Sequence, residues 1–208
     1  MAGPLLETKL HVPRRRRTLL SRPRIVERLN RGAESALTLV SAPAGFGKTT
    51  LLTDWLATAP VEGRSVAWVS LDERDNDPVL FWTYLLTALE TAAHGVGTHA
   101  LAVLQLPQPS IDAVLATLLN DLSGVPNDVV LVLDDYHVID AHDMQEGMTY
   151  LLEHLPPQVQ LVIAGRADPS LPLARLRGRG ELVEIRAADQ RFTATRPPRT
   201  STGRWDWS

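Results

Sequence analysis

The sequence predicts an α/β fold: a parallel sheet of about five strands with helices on both faces. Three observations predict it. Short apolar runs rich in valine, leucine and isoleucine recur along the chain, each too short for a buried helix. Stretches with apolar residues at helical spacing separate these runs. The runs are also nearly continuous rather than alternating, the pattern of strands covered on both faces by crossover helices.

Taken in order, residues 1–20 form an N-terminal arm with prolines and an arginine run from Arg14 to Arg17, read as a solvated face or a flexible segment. RPRIVERLN (22–30) places Ile25, Val26 and Leu29 on one helical face. ALTLVSA (36–42) is a buried strand that runs through a glycine-rich turn into the helix TTLLTDWLATA (49–59). SVAWVSL (65–71) is a second strand, and FWTYLLTALETAA (81–93) carries an apolar helical stripe. IDAVLATLLNDL (111–122) is a further helix, with Ser110 placed to cap its N-terminus. DVVLVLDD (128–135) is a strand ending in two carboxylates. MQEGMTYLLEHL (144–155) is a helix, VQLVIAGR (159–166) a strand, and ELVEI (181–185) a short final strand. The folded domain is placed at 21–193, with 194–208 left as an aberrant, disordered tail.

Composition bounds the function. In 208 residues, 44% are apolar and 22% charged, enough for a packed core. A net charge of −3 gives no global reason to expect nucleic-acid binding. With no cysteine, disulfides and thiolate metal sites are excluded, which suits a reducing compartment. The N-terminus lacks the apolar stretch of a signal peptide, and no apolar run is long enough to span a bilayer. A cytoplasmic protein with no membrane contact is expected.

The chemistry concentrates at TLVSAPAGFGKTTLL (38–52), close to the pattern G-x-x-x-x-G-K-[ST] of a P-loop NTPase. Such a loop turns backbone N–H groups of Ala44, Gly45, Phe46 and Gly47 around a polyphosphate and aims a helix N-terminus at it. Gly45 and Gly47 supply the turns without a Cβ clash. Lys48, read as an exposed loop lysine, is the phosphate cation. Thr49 supplies a hydroxyl for Mg²⁺, and Thr50 can reach the α-phosphate. The opening position is Ala42 instead of glycine, which is tolerated if that residue keeps a negative φ.

Two further elements belong to the same chemistry. The strand VVLVLDD delivers Asp134, placed for the magnesium, and Asp135, placed to polarise an attacking water as general base. Arg166, directly after VQLVIAG, is expected at the carboxyl edge of the sheet, where ligands bind in open α/β folds, and can contact a γ-phosphate. The segment between the first two strands is too short for an obvious substrate lid. A turnover hydrolase or kinase, a DNA-binding regulator and a non-functional remnant nonetheless remain open as other classes.

The motifs TKLHVPRRRRTLLSRPRIVERLN, SAPAGFGKTTLL, AWVSLDERDNDPVLFWTYLLTAL, LVLDDYH and HLPPQVQLVIAGRADPSLPLARLRGRGELVEIRAADQRF occur in this order between residues 7 and 193. Together they resemble the large LuxR/MalT-type transcriptional regulators, signal-transduction ATPases of the STAND class. In that family an alanine at the position of Ala42 is ordinary. The resemblance implies an ATP/ADP switch with Mg²⁺, slow hydrolysis, and self-association in the ATP state of the full-length proteins. It also implies that Lys48 and Thr49 hold phosphate and metal, that Asp134 and Asp135 form the Walker B pair, and that Arg166 is a sensor. Arg22, Pro23 and Arg24 match the segment that packs near adenine. His137 follows the Walker B pair in the family pattern, with no role that the residues themselves suggest. The family's sensor and helix-turn-helix regions are not in these residues, so no direct DNA binding is expected.

The resemblance stops after RFT. Trp205-Asp206-Trp207, read one base earlier, must encode Met, Val or Leu, then Gly, then Leu. In the same shifted frame the codons of Thr195 to Arg204 permit DEAAAYLNRA, giving a helical pattern similar to the way the family continues. A single-base insertion or deletion near codons 194–195 is therefore expected, and resequencing the locus tests it. A downstream shifted frame without helical repeats or a helix-turn-helix would refute it.

Overall fold

The computed structural model describes residues 5–14, 23–32, 35–58 and 64–190. The tail expected to be aberrant, and Arg22, lie outside the described residues. Five strands form one parallel sheet: β1 (Leu37–Ser41), β2 (Ser65–Ser70), β3 (Val129–Asp134), β4 (Val159–Gly165) and β5 (Leu182–Arg186). They are ordered β2-β3-β4-β1-β5. The fold is the one expected.

Side-chain alternation along the strands separates two cores. On one face Leu39, Leu131, Leu133 and Ile163 join the larger cluster; on the other Val40, Val130, Val132 and Val162 join the smaller. The smaller cluster is covered by α1 (Pro23–Arg31) and α2 (Lys48–Thr58) through Ile25, Leu29, Leu52 and Trp55. The larger is covered by α3 (Pro78–Ala92), α4 (Thr98–Leu104), α5 (Ile111–Ser123), α6 (His142–Glu153) and α7 (Leu173–Arg179). A short turn of helix, α8 (Ala187–Gln190), follows β5. Both faces of every central strand are dry, which is why the strands read as unbroken apolar runs.

Boundaries moved where caps act. Helix α3 begins at Pro78, ahead of the apolar stripe, because the Asp77 carboxylate accepts the Leu80 N–H at 2.9 Å and proline suits the first helical position. Ser110 caps α5 as expected, accepting the Ala113 N–H at 3.4 Å. Helices α4 and α7 carry seven residues each, too few for a periodic signal. The entry to α4 needs Gly97, whose φ is 92° and whose added Cβ would sit 2.9 Å from the Leu86 carbonyl oxygen.

The N-terminal segment is not a free arm where it is described. A 3-10 turn at Glu7–Leu10 docks beside the edge strand β2, with Leu5 and Leu10 packed on the larger core. Lys9 reaches into the fold: its Nζ lies 2.8 and 2.7 Å from the oxygens of Asp75, whose side chain is fully buried. The same ammonium bridges Asp72 at 2.8 Å and stands 4.9 Å from the centre of the Tyr84 ring, while the Tyr84 hydroxyl accepts the Leu6 N–H at 3.0 Å.

Removing one partner of a buried pair strands the other charge, whereas an exposed pair such as Arg175–Glu153 contributes little. Lys9→Ala is therefore expected to lower unfolding free energy by about 3 kcal/mol, and Arg175→Ala by less than about 1 kcal/mol. Urea melts of the two variants check this; equal losses would show that the Lys9 pair is not a buried anchor.

Candidate functional site

The glycine-rich loop leaves β1 at Ala42 and re-enters regular structure at Lys48, the first residue of α2. Among the described non-glycine residues only Asp135 has a positive φ, so Ala42 keeps the negative φ that lets alanine replace the usual glycine. Gly45 and Gly47 have φ of 82° and 75°. A Cβ at Gly45 would meet nothing within 4 Å and one at Gly47 only Thr50 Cβ at 3.9 Å. Their glycines are required by backbone handedness. Ala44 and Gly45 are exposed, and Phe46, Gly47, Thr49 and Thr50 are half-buried.

Lys48 differs from its expectation. It is buried, not an exposed loop lysine, and its Nζ donates to the carbonyl oxygens of Ala42 at 2.9 Å and Pro43 at 3.3 Å. The lysine thus closes the loop on itself.

The two halves of the site meet directly. The Thr49 hydroxyl donates to Asp134 Oδ2 at 2.6 Å, although 85 residues separate them. The other carboxylate oxygen accepts the Asp135 N–H at 3.0 Å. Burial pushes the Asp134 carboxyl above its ordinary range, and the neighbouring Asp135 charge pushes the same way against the Thr49 hydrogen bond and Lys48. A hydroxyl and a desolvated carboxylate in contact are hard oxygen donors of the kind Mg²⁺ takes, so the residues fit that ion. Asp135 turns the chain off β3 in the left-handed region (φ 57°, ψ 31°), and its side chain is half exposed.

Strand β4 lies between β3 and β1, so the residue after it comes between the carboxylates and the loop. The Gly165 carbonyl accepts the Ala42 N–H at 3.2 Å, and Arg166 follows, exposed. A Cβ on Gly165 would lie 3.3 Å from the Ala167 carbonyl oxygen and 3.5 Å from His137 Cβ; its absence lets the turn after β3 close on β4.

His137, left without a role by sequence reasoning, sits in that turn. Its Nδ1 is buried without a hydrogen-bond partner, 3.7 Å from Asp135 Oδ1. Burial lowers its pKa; Asp135 opposes this, while the charges of Arg166 and Lys48 add to it. The imidazole is therefore neutral at neutral pH and lies within the fields of three expected site residues. The family motif was its only signal in the sequence.

Pro23 begins α1, which packs against β5. A cavity of about 470 Å³ over α6, lined by Asp140, His142, Glu146, Tyr150 and Ser170 among others, is separate from the loop and holds carboxylates that would repel phosphate. No helix among the described residues is long and apolar enough to cross a membrane.

The chain is 37% identical over 182 residues to the HTH-type transcriptional regulator MalT of Yersinia enterocolitica, and equally to that of Yersinia pestis. The match covers 87% of this chain and 20% of each relative, so the chain spans about a fifth of their length. No family model matches. Among solved structures it resembles Cdc6p of Pyrobaculum aerophilum, with a TM-score of 0.56 at 19% identity over 88% of this chain and 49% of that one. It also resembles Orc1 of Aeropyrum pernix, solved in complex with DNA, with a TM-score of 0.55 at 19% identity over 84% of this chain and 46% of that one. These two establish the fold.

A carboxyl whose pKa is raised on folding holds its proton more tightly folded than unfolded. Between the ordinary carboxylate value and the raised one, stability therefore falls as pH rises, and the ionised Asp134 costs stability at neutral pH. Without nucleotide or metal, Asp134→Asn is expected to raise Tm at pH 7 by about 2–4 °C, a gain that shrinks as pH falls toward the ordinary carboxylate value. A lower Tm at pH 7 would show the charge to be compensated already.

Proposed function

We propose, from the premise that this chain belongs with the MalT-type transcriptional regulators and carries their P-loop ATPase domain, that it is a nucleotide-dependent switch that hydrolyses ATP slowly. The observation that carries this reading is the contact of Thr49 with Asp134, which joins the helix after β1 to the end of β3 in the geometry that magnesium-dependent phosphoryl transfer needs. Mg²⁺, when bound by Thr49 and Asp134, supplies charge to stabilise the polyphosphate.

The chain's own residues do the rest. The amides from Ala44 to Lys48 cradle the phosphates at the N-terminus of α2, and Thr50 stands in its first turn. Lys48 exchanges its two carbonyl partners for phosphate oxygens, a charge-assisted gain. Asp135 accepts the proton of an attacking water as the new P–O bond forms and the bond to the ADP oxygen breaks, with ADP taking the bonding electrons. Arg166 contacts the γ-phosphate and reports its presence; neutral His137 holds the turn between Asp135 and Arg166. Arg22 and Pro23 belong to the adenine side.

Slow turnover suits a base that is half exposed and itself in the left-handed region. Self-association in the ATP state is proposed for the longer proteins of this type. No DNA contact is assigned to this domain: in its basic stretch Arg175, Arg177 and Arg179 already pair with Glu153, Glu184 and Glu181.

Calorimetric titration with ATP and ADP, with and without Mg²⁺, tests the reading. Lys48→Ala is expected to weaken both nucleotides by about 100-fold or more, and Lys48→Arg, which keeps the charge, controls for loop collapse. Unchanged ATP affinity in Lys48→Ala would sink the site.

Asp135→Asn is expected to slow single-turnover hydrolysis by about 100-fold while ATP affinity changes by less than about threefold. Equal losses of affinity in Asp134→Asn and Asp135→Asn, independent of magnesium, would show that the two carboxylates do not divide the roles.

A further inference from the structure

We propose that Asp168 and Arg186 are positioning residues that hold the loop carrying Arg166 against the start of the phosphate-binding loop, and so set the preference for triphosphate over diphosphate. The proposal rests on Arg166 as the γ-phosphate contact. Three neighbouring strands end in register at this edge: Ser41 pairs with Gly165 on one side and with Arg186 on the other. Beyond Gly165 the chain runs without regular structure until α7 begins at Leu173. Backbone contacts alone leave Arg166 on an irregular segment.

Asp168 is the tether of that segment. The Arg186 guanidinium takes both of its oxygens, Nη1 to Oδ1 and Nη2 to Oδ2, the latter at 2.9 Å. Arg186 first, and the Ser41 side chain one residue before Ala42 to a lesser degree, hold the Asp168 carboxyl below its ordinary range. Through Arg186, which pairs in register with Ser41, Asp168 ties the segment two positions after Arg166 to the strand that enters the phosphate loop.

Arg186 is itself fixed from two sides. Its Nη2 also meets Glu184, which Arg177 of α7 holds at 2.9 and 3.0 Å. Its backbone N–H donates to Asp189 Oδ2 at 2.9 Å, and Asp189 pairs with Arg28 of α1 at 2.6 Å. A single exposed ion pair is weak, but a bidentate arginine–carboxylate pair inside a network is the geometry in which surface charges do hold position. ADP has no γ-phosphate, so losing the tether penalises only the triphosphate.

The test is titration of the 208-residue chain with Mg²⁺ and either a non-hydrolysable ATP analogue or ADP, for wild type, Asp168→Asn, Arg186→Gln, Arg166→Ala and Asp168→Asn/Arg166→Ala. The expected result is a shift of the triphosphate-to-diphosphate affinity ratio by about fivefold or more in each single variant. Adding Asp168→Asn to Arg166→Ala should change that ratio by less than about twofold, because the tether acts through Arg166. The reversed pair Asp168→Arg/Arg186→Asp should recover part of the loss, which a general loosening of the fold would not allow. If Asp168→Asn unfolds, Arg186→Lys carries the same comparison with the charge retained. Equal weakening of both nucleotides, or full additivity with Arg166→Ala, overturns the tether while leaving the site reading intact. A wild-type chain that binds neither nucleotide, or an unchanged ratio in Arg166→Ala, overturns the site reading and this inference with it.

Discussion

The contact between Thr49 and Asp134 depends on a strand that belongs to neither residue. Strands β1 and β3 are not neighbours; β4 lies between them, paired to both. A hydroxyl on the helix after β1 reaches a carboxylate at the end of β3 across the carboxyl end of β4. The connection from β1 leads through α2 to β2 at one edge of the sheet, and that from β4 leads through α7 to β5 at the other. Neighbouring connections diverge at β1 and β4, opening the crevice where ligands of open α/β sheets sit. Loop, carboxylates and arginine all follow from this one order of strands.

Several features gathered at the crevice are unfavourable in isolation: a desolvated carboxylate, an aspartate in the left-handed region and a buried imidazole nitrogen with no partner. They persist because the strands beneath are buried on both faces and cannot relax to relieve them. At the opposite end Gln160 has one buried oxygen, Oε1, without a partner, while its amide nitrogen is satisfied. Gln160 donates to the Gly32 carbonyl at 2.8 Å and to Thr38 at 3.1 Å, and Gln145 donates to the Ile139 carbonyl at 2.7 Å.

The five strands and the long helices were legible because each carries its own signal, an unbroken apolar run or a helical stripe. Lys48, Thr49, Asp134 and Asp135 were legible because strand ends fix where such residues emerge. The exposure of Lys48 was misread, since its carbonyl partners appear only once the loop has closed. Helices α4 and α7 are too short for periodicity to register. Asp168 with Arg186, and Lys9 with Asp75, were invisible because pairing across 18 or 66 residues leaves no mark on local composition. His137 was visible only as part of a pattern, and its partnerless nitrogen is a property of three dimensions.

The Lys9 anchor also orders events in time. Its receptor is made of Asp72, Asp75 and Tyr84, on segments that hang from β2. Strand β2 is an edge strand whose partner in the sheet is β3, which ends at Asp134. A chain made from its N-terminus therefore exposes Lys9 well before the surface that receives it has been assembled. The first part of the domain to be synthesised thus finds its partner only after a segment 66 residues downstream has been made.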